Sequence, residues 1–569
     1  MRVALWAEQA LCAACLFVVL VAVVDHLRHS VTGLRVRAHR ATIALLVVGG
    51  AIRFAMPPAF IHANFHGYGL VEAILAFPEP AHYRAEYGQG SFMAMGALAS
   101  ALGGGWRGVV LANVLFGTAL LGGMALLAHR IAGPFAATAT AAAGATFLPL
   151  VRVAASEDAH GVASLLAIVA VLAATPPPLQ GPSLSRSRVV VIVAGTLGAL
   201  YARQSWFFLP IIIGGLTFAA WRPPRLAEPR VLFVVGVVVL LLVPRAVSLA
   251  TTNDRGSVAY LSSAIFSRDV LVFLRFHPLF RLDLGPGVLL FGAIGAAWAV
   301  HARQRLGVWV AIGAAVAFVS SLVVSANPGY GIAYGFRLPL FSFLLPLTGV
   351  GCAATLAEVR RRAPTLASPS VTALGLALFL WPVPALVREA RLRDPQDQEY
   401  AIIAAHSATL PRGATLLFPK AQGLEPPSYS IPWSAFGDAS VDARFDLPAG
   451  ETPTDLLVFE GLSCYAYSLS EQTGLPPARL TEAFVGRRDG EGRTLVELLW
   501  NTDSGAFALF GARAPEGRRQ ECLRAVPSGS TFEEWGRVRV AQRRDLPFIY
   551  FSETSIPVGV WKSSRVAGP

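Results

Sequence analysis

Residues 61–90 (IHANFHGYGLVEAILAFPEPAHYRAEYGQG) gather His62, His66 and His82, Glu72, Glu79 and Glu86, Asn64, Arg84 and three tyrosines. A neutral imidazole, with an ordinary pKa close to neutrality, can take a proton from a hydroxyl, and so can a carboxylate. The plain alternative is a solvated loop. A second polar stretch, residues 152–160 (RVAASEDAH), sets Glu157 and Asp158 directly before another apolar run. Ionisable groups at that depth are costly and usually face a cavity or one another. Here the alternative is a helix N-terminus, with Ser156 as cap and the acids matched to the dipole. Two arginines complete the set. Arg203 falls between two apolar runs, and Arg337 lies in residues 327–339 (NPGYGIAYGFRLP). A guanidinium can grip a phosphate through two parallel hydrogen bonds. It can equally snorkel to lipid headgroups.

The elements that must position these groups are apolar. The chain has 569 residues, is 54% hydrophobic and 14% charged, and has a mean hydropathy of +0.54. That profile excludes a soluble globular protein and predicts a polytopic α-helical membrane protein. One span takes roughly 17–25 mostly apolar residues, and such runs recur from residue 10 to residue 386. Residues 388–569 are polar, proline-rich and interrupted by charge. The expected division is a multi-pass domain over residues 1–390 and a soluble domain over residues 391–569.

The formal net charge of +12 sits largely in short loops between apolar runs, as the positive-inside rule requires. Nucleic acid is therefore not an expected partner; membrane lipids are. The basic stretch 26–40 reads as cytoplasmic, and the next span ends at Pro57-Pro58. Residues 61–90 then lie outside. Alternation gives about 12 transmembrane helices and an extracytoplasmic C-terminal domain. Residues 91–102 are too short to cross and read as a surface helix. Residues 189–202 and 205–221 read as two helices hinged at Arg203-Gln204. In the last third, a helix at 397–409 and strands at 414–418, 455–460, 494–500 and 506–511 predict an α/β domain. Cys12, Cys15 and Cys352 fall in apolar runs, where cysteine packs as a small hydrophobe. Cys464 and Cys522 could pair if their domain lies in an oxidising compartment.

The order of these features resembles the C-type superfamily of membrane glycosyltransferases, which includes lipid A aminoarabinose transferases, protein O-mannosyltransferases and related bacterial enzymes. Arg53 and Pro57-Pro58 precede a large first outer loop that ends in residues 87–102. Ser156-Glu157-Asp158 occupy a second outer loop. A Gly-rich run breaks at Arg203 and continues to Pro210, and Arg337-Leu338-Pro339 open a late helix. The resemblance covers roughly residues 41–356. It implies transfer of a sugar from a polyprenyl-phosphate donor to an envelope lipid, glycan or protein on the outer face of the inner membrane.

The catalytic candidates it implies are His62, Asn64, His66, Glu72, Glu157 and Asp158. The substrate-binding candidates are Arg53, Tyr87, Arg152, His160, Arg203, Tyr330, Tyr334 and Arg337. No cofactor is required by the sequence; a divalent cation stays open, with unknown ligands. One departure stands out. Family members carry an acid near the start of the first loop, whereas this chain reads His62-Ala63-Asn64-Phe65-His66. Either a histidine substitutes as base, or Glu72 does, or the protein is non-catalytic or transport-related on the same scaffold.

Overall fold

The structure is a computed structural model that describes residues 2–31, 36–61, 66–80, 88–175, 186–220, 236, 238–247, 286–326, 337–391, 393–418, 431–437, 441–447, 453, 455–467, 509–510, 518–540 and 554–563. The chain divides into two units. The first comprises Met1–Met56, Ala73–Val324 and Tyr334–Arg388; the second comprises Pro57–Glu72, Ser325–Ala333 and Glu389–Pro569. The main division thus falls two residues before the expected one, and the first-loop segment Pro57–Glu72 belongs with the C-terminal part.

The first unit is helical, as its long apolar runs demand. In order come α1 (Arg2–Val31), α2 (Val36–Ala55), α3 (His66–Leu75), α4 (Gln89–Ala101), α5 (Gly105–Ala132), α6 (Pro134–Thr146), α7 (Leu148–Ala154), α8 (His160–Ala174), α9 (Arg186–Ala202) and α10 (Leu209–Ala220). The first seven residues of α3 belong to the second unit. Later helices include Val238–Val247, Pro286–His301, Arg305–Ala326 and Leu338–Arg362.

Among the described residues, four stretches are long and apolar enough to cross a membrane: Val3–Val23, Gly105–Ala132, Leu338–Arg362 and Ala373–Arg391. The bent pair α6–α7 makes a fifth if it is one span. The expectation of about twelve also counted shorter apolar helices such as α8 and Pro286–His301, which length and composition alone do not qualify.

Small residues let the long helices approach. A Cβ on Gly351 would lie 1.9 Å from Phe291 O, so the helices Pro286–His301 and Leu338–Arg362 meet backbone to backbone. Thr348 Oγ1 donates to Val288 O at 2.9 Å across the same seam.

The second unit holds a five-stranded sheet in the order β2-β1-β3-β7-β6. Its strands are β1 (Thr415–Leu417), β2 (Asp442–Arg444), β3 (Leu456–Glu460), β6 (Thr531–Val540) and β7 (Thr554–Lys562). β1 runs parallel to β2 and β3, and β7 runs antiparallel to β3 and β6. A two-stranded sheet pairs β4 (Ala466–Tyr467) with β5 (Leu509–Phe510). Residues 494–500, an expected strand, lie outside the described residues.

The two longest strands, β6 and β7, escape the sequence reading. In β6 only Trp535, Val538 and Val540 are buried, and β7 contains Pro557. That proline pairs with Arg537, beyond the end of the β3 register, where a missing N–H breaks no ladder. The helix Pro395–His406 starts at Asp394, whose side chain accepts Asp397 N at 2.9 Å. Gln398 then exchanges two hydrogen bonds with the backbone of Arg539 on β6. Cys464 and Cys522 form a disulfide with Cα atoms 5.2 Å apart.

Candidate functional site

The second polar stretch is shaped by the break between α6 and α7. Pro149 has no N–H for the carbonyl four residues back. The chain leaves the helix at Phe147 (φ −66°, ψ 106°) and bends by 65°. Helix α7 then ends at Ala154, and residues 155–159 form a turn before α8. One side chain from α5 holds this turn. Asn113 Nδ2 lies within hydrogen-bond distance of Val153 O (2.6 Å), Ser156 O (3.0 Å) and Asp158 O (2.7 Å). Ser156 Oγ donates to Val153 O and accepts Asp158 N at 3.2 Å.

The turn delivers a buried acid to a buried imidazole. Asp158 Oδ1 accepts His160 N at 2.7 Å and lies 2.5 Å from His160 Nδ1. Arg203 Nη2 lies 3.0 Å from the same ring nitrogen. A guanidinium only donates and an ionised carboxylate only accepts, so Nδ1 cannot serve both. The shorter contact assigns Nδ1–H to Asp158, with Arg203 as a cation beside the pair. Asp158, His160 and Arg203 are all buried, as is Glu157. Buried charges hold only when matched and hydrogen-bonded. This arrangement orients one imidazole and puts a guanidinium against it.

Arg203 sits where α9 stops, in extended backbone (φ −157°, ψ 132°). A 3₁₀ turn, Gln204–Trp206, follows, so the expected hinge between two helices is observed. Trp206 packs on Phe343, ring centroids 5.6 Å apart, and Phe147 at the α6–α7 break packs on Phe341 at 5.0 Å. Both phenylalanines belong to the first two turns of Leu338–Arg362, the helix for which buried Arg337 stands at the N-cap position. Two helix breaks therefore converge on one helix start.

The start of α4 is built into the same region. Ser91 Oγ lies 2.7 Å from Ala202 O and 3.3 Å from Ala159 O. Gly88 has φ +60°, and a Cβ there would fall 2.0 Å from Tyr201 O; only glycine fits. Gln89 N donates to Glu8 Oε1 at 3.1 Å, and the same oxygen accepts Arg245 Nη1 at 3.1 Å. A buried acid on α1 thus caps α4 and pairs with a buried arginine.

The other predicted residues divide as follows. Arg53 is buried, and its Nη atoms donate to Gly49 O and Gly144 O at 2.8 and 2.9 Å. Gly144 O is among the carbonyls left over at the end of α6, so Arg53 ties α2 to α6. Arg152 is buried with Nη2 3.4 Å from Met56 Sδ.

Glu72 lies in the second unit, where Oε1 accepts Ser434 N and Oγ at 2.8 and 2.7 Å. Burial raises its pKa, against the pull of those two bonds. His66 begins α3. His62, Asn64, Tyr87, Tyr330 and Tyr334 lie outside the described residues, as does the side chain of His66.

Among the described residues no three His, Cys, Asp or Glu side chains cluster as a metal site would need. Sequence reasoning passed over Asn113, Ser91, Glu8 and Arg245. The available signal was a polar residue within or beside an apolar run, which at membrane depth marks a role by default.

No family model matches the chain, and no curated protein matches it. Among solved structures it is similar to ArnT from Cupriavidus metallidurans in the apo state, 14% identical over 69% of this chain and 83% of that one, TM-score 0.45. It is also similar to the same protein bound to undecaprenyl phosphate, 14% identical over 68% and 83%, TM-score 0.46. A third is the archaeal oligosaccharyltransferase AglB from Archaeoglobus fulgidus, in complex with an inhibitory peptide and a dolichol-phosphate. That match is 12% identical over 72% of this chain and 65% of that one, TM-score 0.44.

Proposed function

We propose that the chain is a membrane glycosyltransferase that moves a sugar from a polyprenyl-phosphate donor to a lipid, glycan or protein of the cell envelope. The observation that carries this reading is the buried Asp158–His160–Arg203 constellation at the break between α9 and α10. In such a transfer the acceptor oxygen bonds to the anomeric carbon as the bond from that carbon to the phosphate oxygen breaks. The electron pair leaves on the phosphate, and the acceptor's proton goes to a base. Preformed positive charge aimed at the departing oxygen lowers the barrier.

In this reading Arg203 and Arg337 hold the phosphate, and Glu157 and Asp158 position the acceptor or a divalent cation. The base is a histidine: His160, which Asp158 orients, or His62 or His66. Asn64, Tyr87, Arg152, Tyr330 and Tyr334 are proposed contacts to sugar and lipid. The proposed setting is the inner membrane with about twelve crossings and the C-terminal unit outside. The disulfide supports an oxidising compartment for that unit, and the arginine-rich short loops support the orientation. A non-catalytic reading on the same scaffold is favoured by one observation: Glu72, the acid that could replace the missing first-loop carboxylate, is engaged by Ser434.

The test is transfer of labelled sugar from membrane lipid by purified protein. Arg203→Ala should lower the rate by roughly 10²–10³-fold, the cost of removing one donor aimed at developing charge. Among His62→Ala, His66→Ala and His160→Ala, the largest loss identifies the base. Full transfer by Arg203→Ala would sink the site assignment. No transfer by wild type with any sugar-lipid would favour the non-catalytic reading.

A further inference from the structure

The second unit holds the first-loop segment Pro57–Glu72 through three carboxyl groups and a cluster of rings. Phe60 meets Tyr68 edge-on at 4.9 Å, and Tyr400 lies 6.1 Å from Phe60 and 6.5 Å from Tyr68. Asp394 Oδ2 is 3.4 Å from Phe60 N. Glu72 accepts from Ser434, whose Oγ lies 2.7 Å from Tyr400 OH. Between these lies Glu399, fully buried. Its Oε1 accepts Leu462 N at 2.7 Å, immediately after the carboxyl end of β3. Its Oε2 is 2.7 Å from Tyr68 OH, which is also 3.2 Å from Gln396 O.

Counting hydrogens decides the protonation state. The Tyr68 hydroxyl has one hydrogen, and among the described residues two acceptors lie in range. With Glu399 ionised, that hydrogen serves either the carboxylate or Gln396 O, and the other contact sets two lone pairs against each other. With Glu399 protonated on Oε2, the acid donates to the Tyr68 oxygen and Tyr68 donates to Gln396 O. Every short contact then has a hydrogen. Leu462 N still donates to Oε1.

We infer that Glu399 is a proton-operated latch: neutral, it holds the first-loop segment on the C-terminal unit, and its deprotonation loosens that hold. Among the described residues the partners of Glu399 are the Tyr68 hydroxyl and the Leu462 amide, and neither is a cation. Among the described side chains of α3 the titratable ones are Tyr68 and Glu72. Glu460 on β3 is taken by Arg519, Tyr465 and Trp561. On β6, Arg537 pairs with Glu534, Arg539 carries the remaining charge, and Glu533 pairs with Lys562 of β7. Of these only Tyr68 is hydrogen-bonded to Glu399. Burial pushes its carboxyl up to about 7, and the bonds from Tyr68 and Leu462 only partly pull it back.

The sign follows from linkage. A released segment would return Glu399 toward the ordinary 4.5, against about 7 when held. Below the lower value both states carry the proton and the hold is complete. Between the two values the held state keeps a proton that the released state gives up, so each pH unit favours release by roughly tenfold. Above the upper value both are ionised and the hold is weakest.

The experiment is hydrogen exchange of the Phe60 and α3 amides in full-length protein in nanodiscs, corrected for intrinsic rates, from about pH 5 to about pH 8. The wild-type opening constant should rise on the order of 10²-fold across that range. Glu399→Gln keeps an acceptor for Leu462 N and a donor for Tyr68, and its profile should lose most of the slope, with only the part due to Glu72 left. A flat wild-type profile, or an undiminished slope in Glu399→Gln, overturns the latch. Infrared difference spectra keep the question open to refutation if that variant does not fold. Wild type should show a protonated-carboxyl band that disappears as pH rises, and Tyr68→Phe should shift it. If that band is absent, or Tyr68→Phe leaves it unmoved, Glu399 is not the latch.

Discussion

Asp158 in the first unit and Glu399 in the second are both fully buried acids, and they solve that problem in opposite ways. Asp158 faces an imidazole and, beyond it, a guanidinium. Glu399 faces a phenol and a backbone amide. Near cations a buried carboxylate keeps its charge; where burial outweighs the pull of a few neutral donors it keeps its proton instead. The first arrangement stores an electrostatic field where charge could be moved. The second stores a proton whose loss changes how tightly two segments are held. In the proposed reading one type of side chain serves chemistry in one unit and fastening in the other.

The comparison is most exposed at its cation. Arg203→Leu leaves Asp158 and His160 buried without their positive neighbour. Removing one member of a buried charged set costs about 3–5 kcal/mol. Glu399→Gln, which leaves no uncompensated charge, should be close to neutral at pH values where the acid is protonated. Thermal unfolding of the two variants in the same detergent measures the contrast. Equal losses would mean that both acids are fastened by packing alone, and the distinction would fail.

The disulfide sharpens the second half of the comparison. Cys464 lies two residues beyond Leu462, the amide donor to Glu399. Replacing Cys464 and Cys522 by serine opens a loop with a sequence separation of 58 and should cost about 2–5 kcal/mol. The pH slope of loop exchange should nevertheless persist, because burial and the Tyr68 contact set it. A slope lost with the disulfide would make the linkage, and not the carboxyl group, the fastening element.

How much of this was legible in the sequence depends on chain separation. Asp158, His160 and Arg203 announced themselves because each interrupts an apolar run, and ionisable groups there need partners. The Arg203 break was legible for the same reason. Glu72 was read as a candidate base because its loop is rich in titratable groups. Its partner Ser434 is 362 residues away, and no local pattern links them. Glu399 looked like one more polar position on a soluble helix; only the fold brings Tyr68 to it. The expected count of about twelve spans exceeds the four or five that qualify among the described residues because it also counts shorter apolar runs as crossings. Strands β6 and β7 were missed because charges, Gly536 and Pro557 masked their alternation. Asn113 brings one amide nitrogen within reach of three backbone carbonyls, a role that no spacing rule anticipates.

Asp394 supplies the smallest and most discriminating case, an acid at the start of a helix. It sits at the N-cap of Pro395–His406, where its oxygen accepts Asp397 N. The unsatisfied N–H groups and the helix dipole there favour negative charge. Asp394→Asn keeps the capping oxygen and should change stability by only a few tenths of a kcal/mol. Asp394→Ala removes it and should cost about 0.5–2 kcal/mol. The contact to Phe60 N, at 3.4 Å, lies at the long end of hydrogen-bond geometry and adds little. Exchange at the Phe60 amide should therefore rise far less in Asp394→Ala than in wild type taken through the Glu399 titration. Stability is read from denaturant unfolding of both variants. If Asp394→Ala releases the first-loop segment as fully as deprotonating Glu399, the segment is fastened at its start, and the contrast between the two buried acids no longer explains its hold.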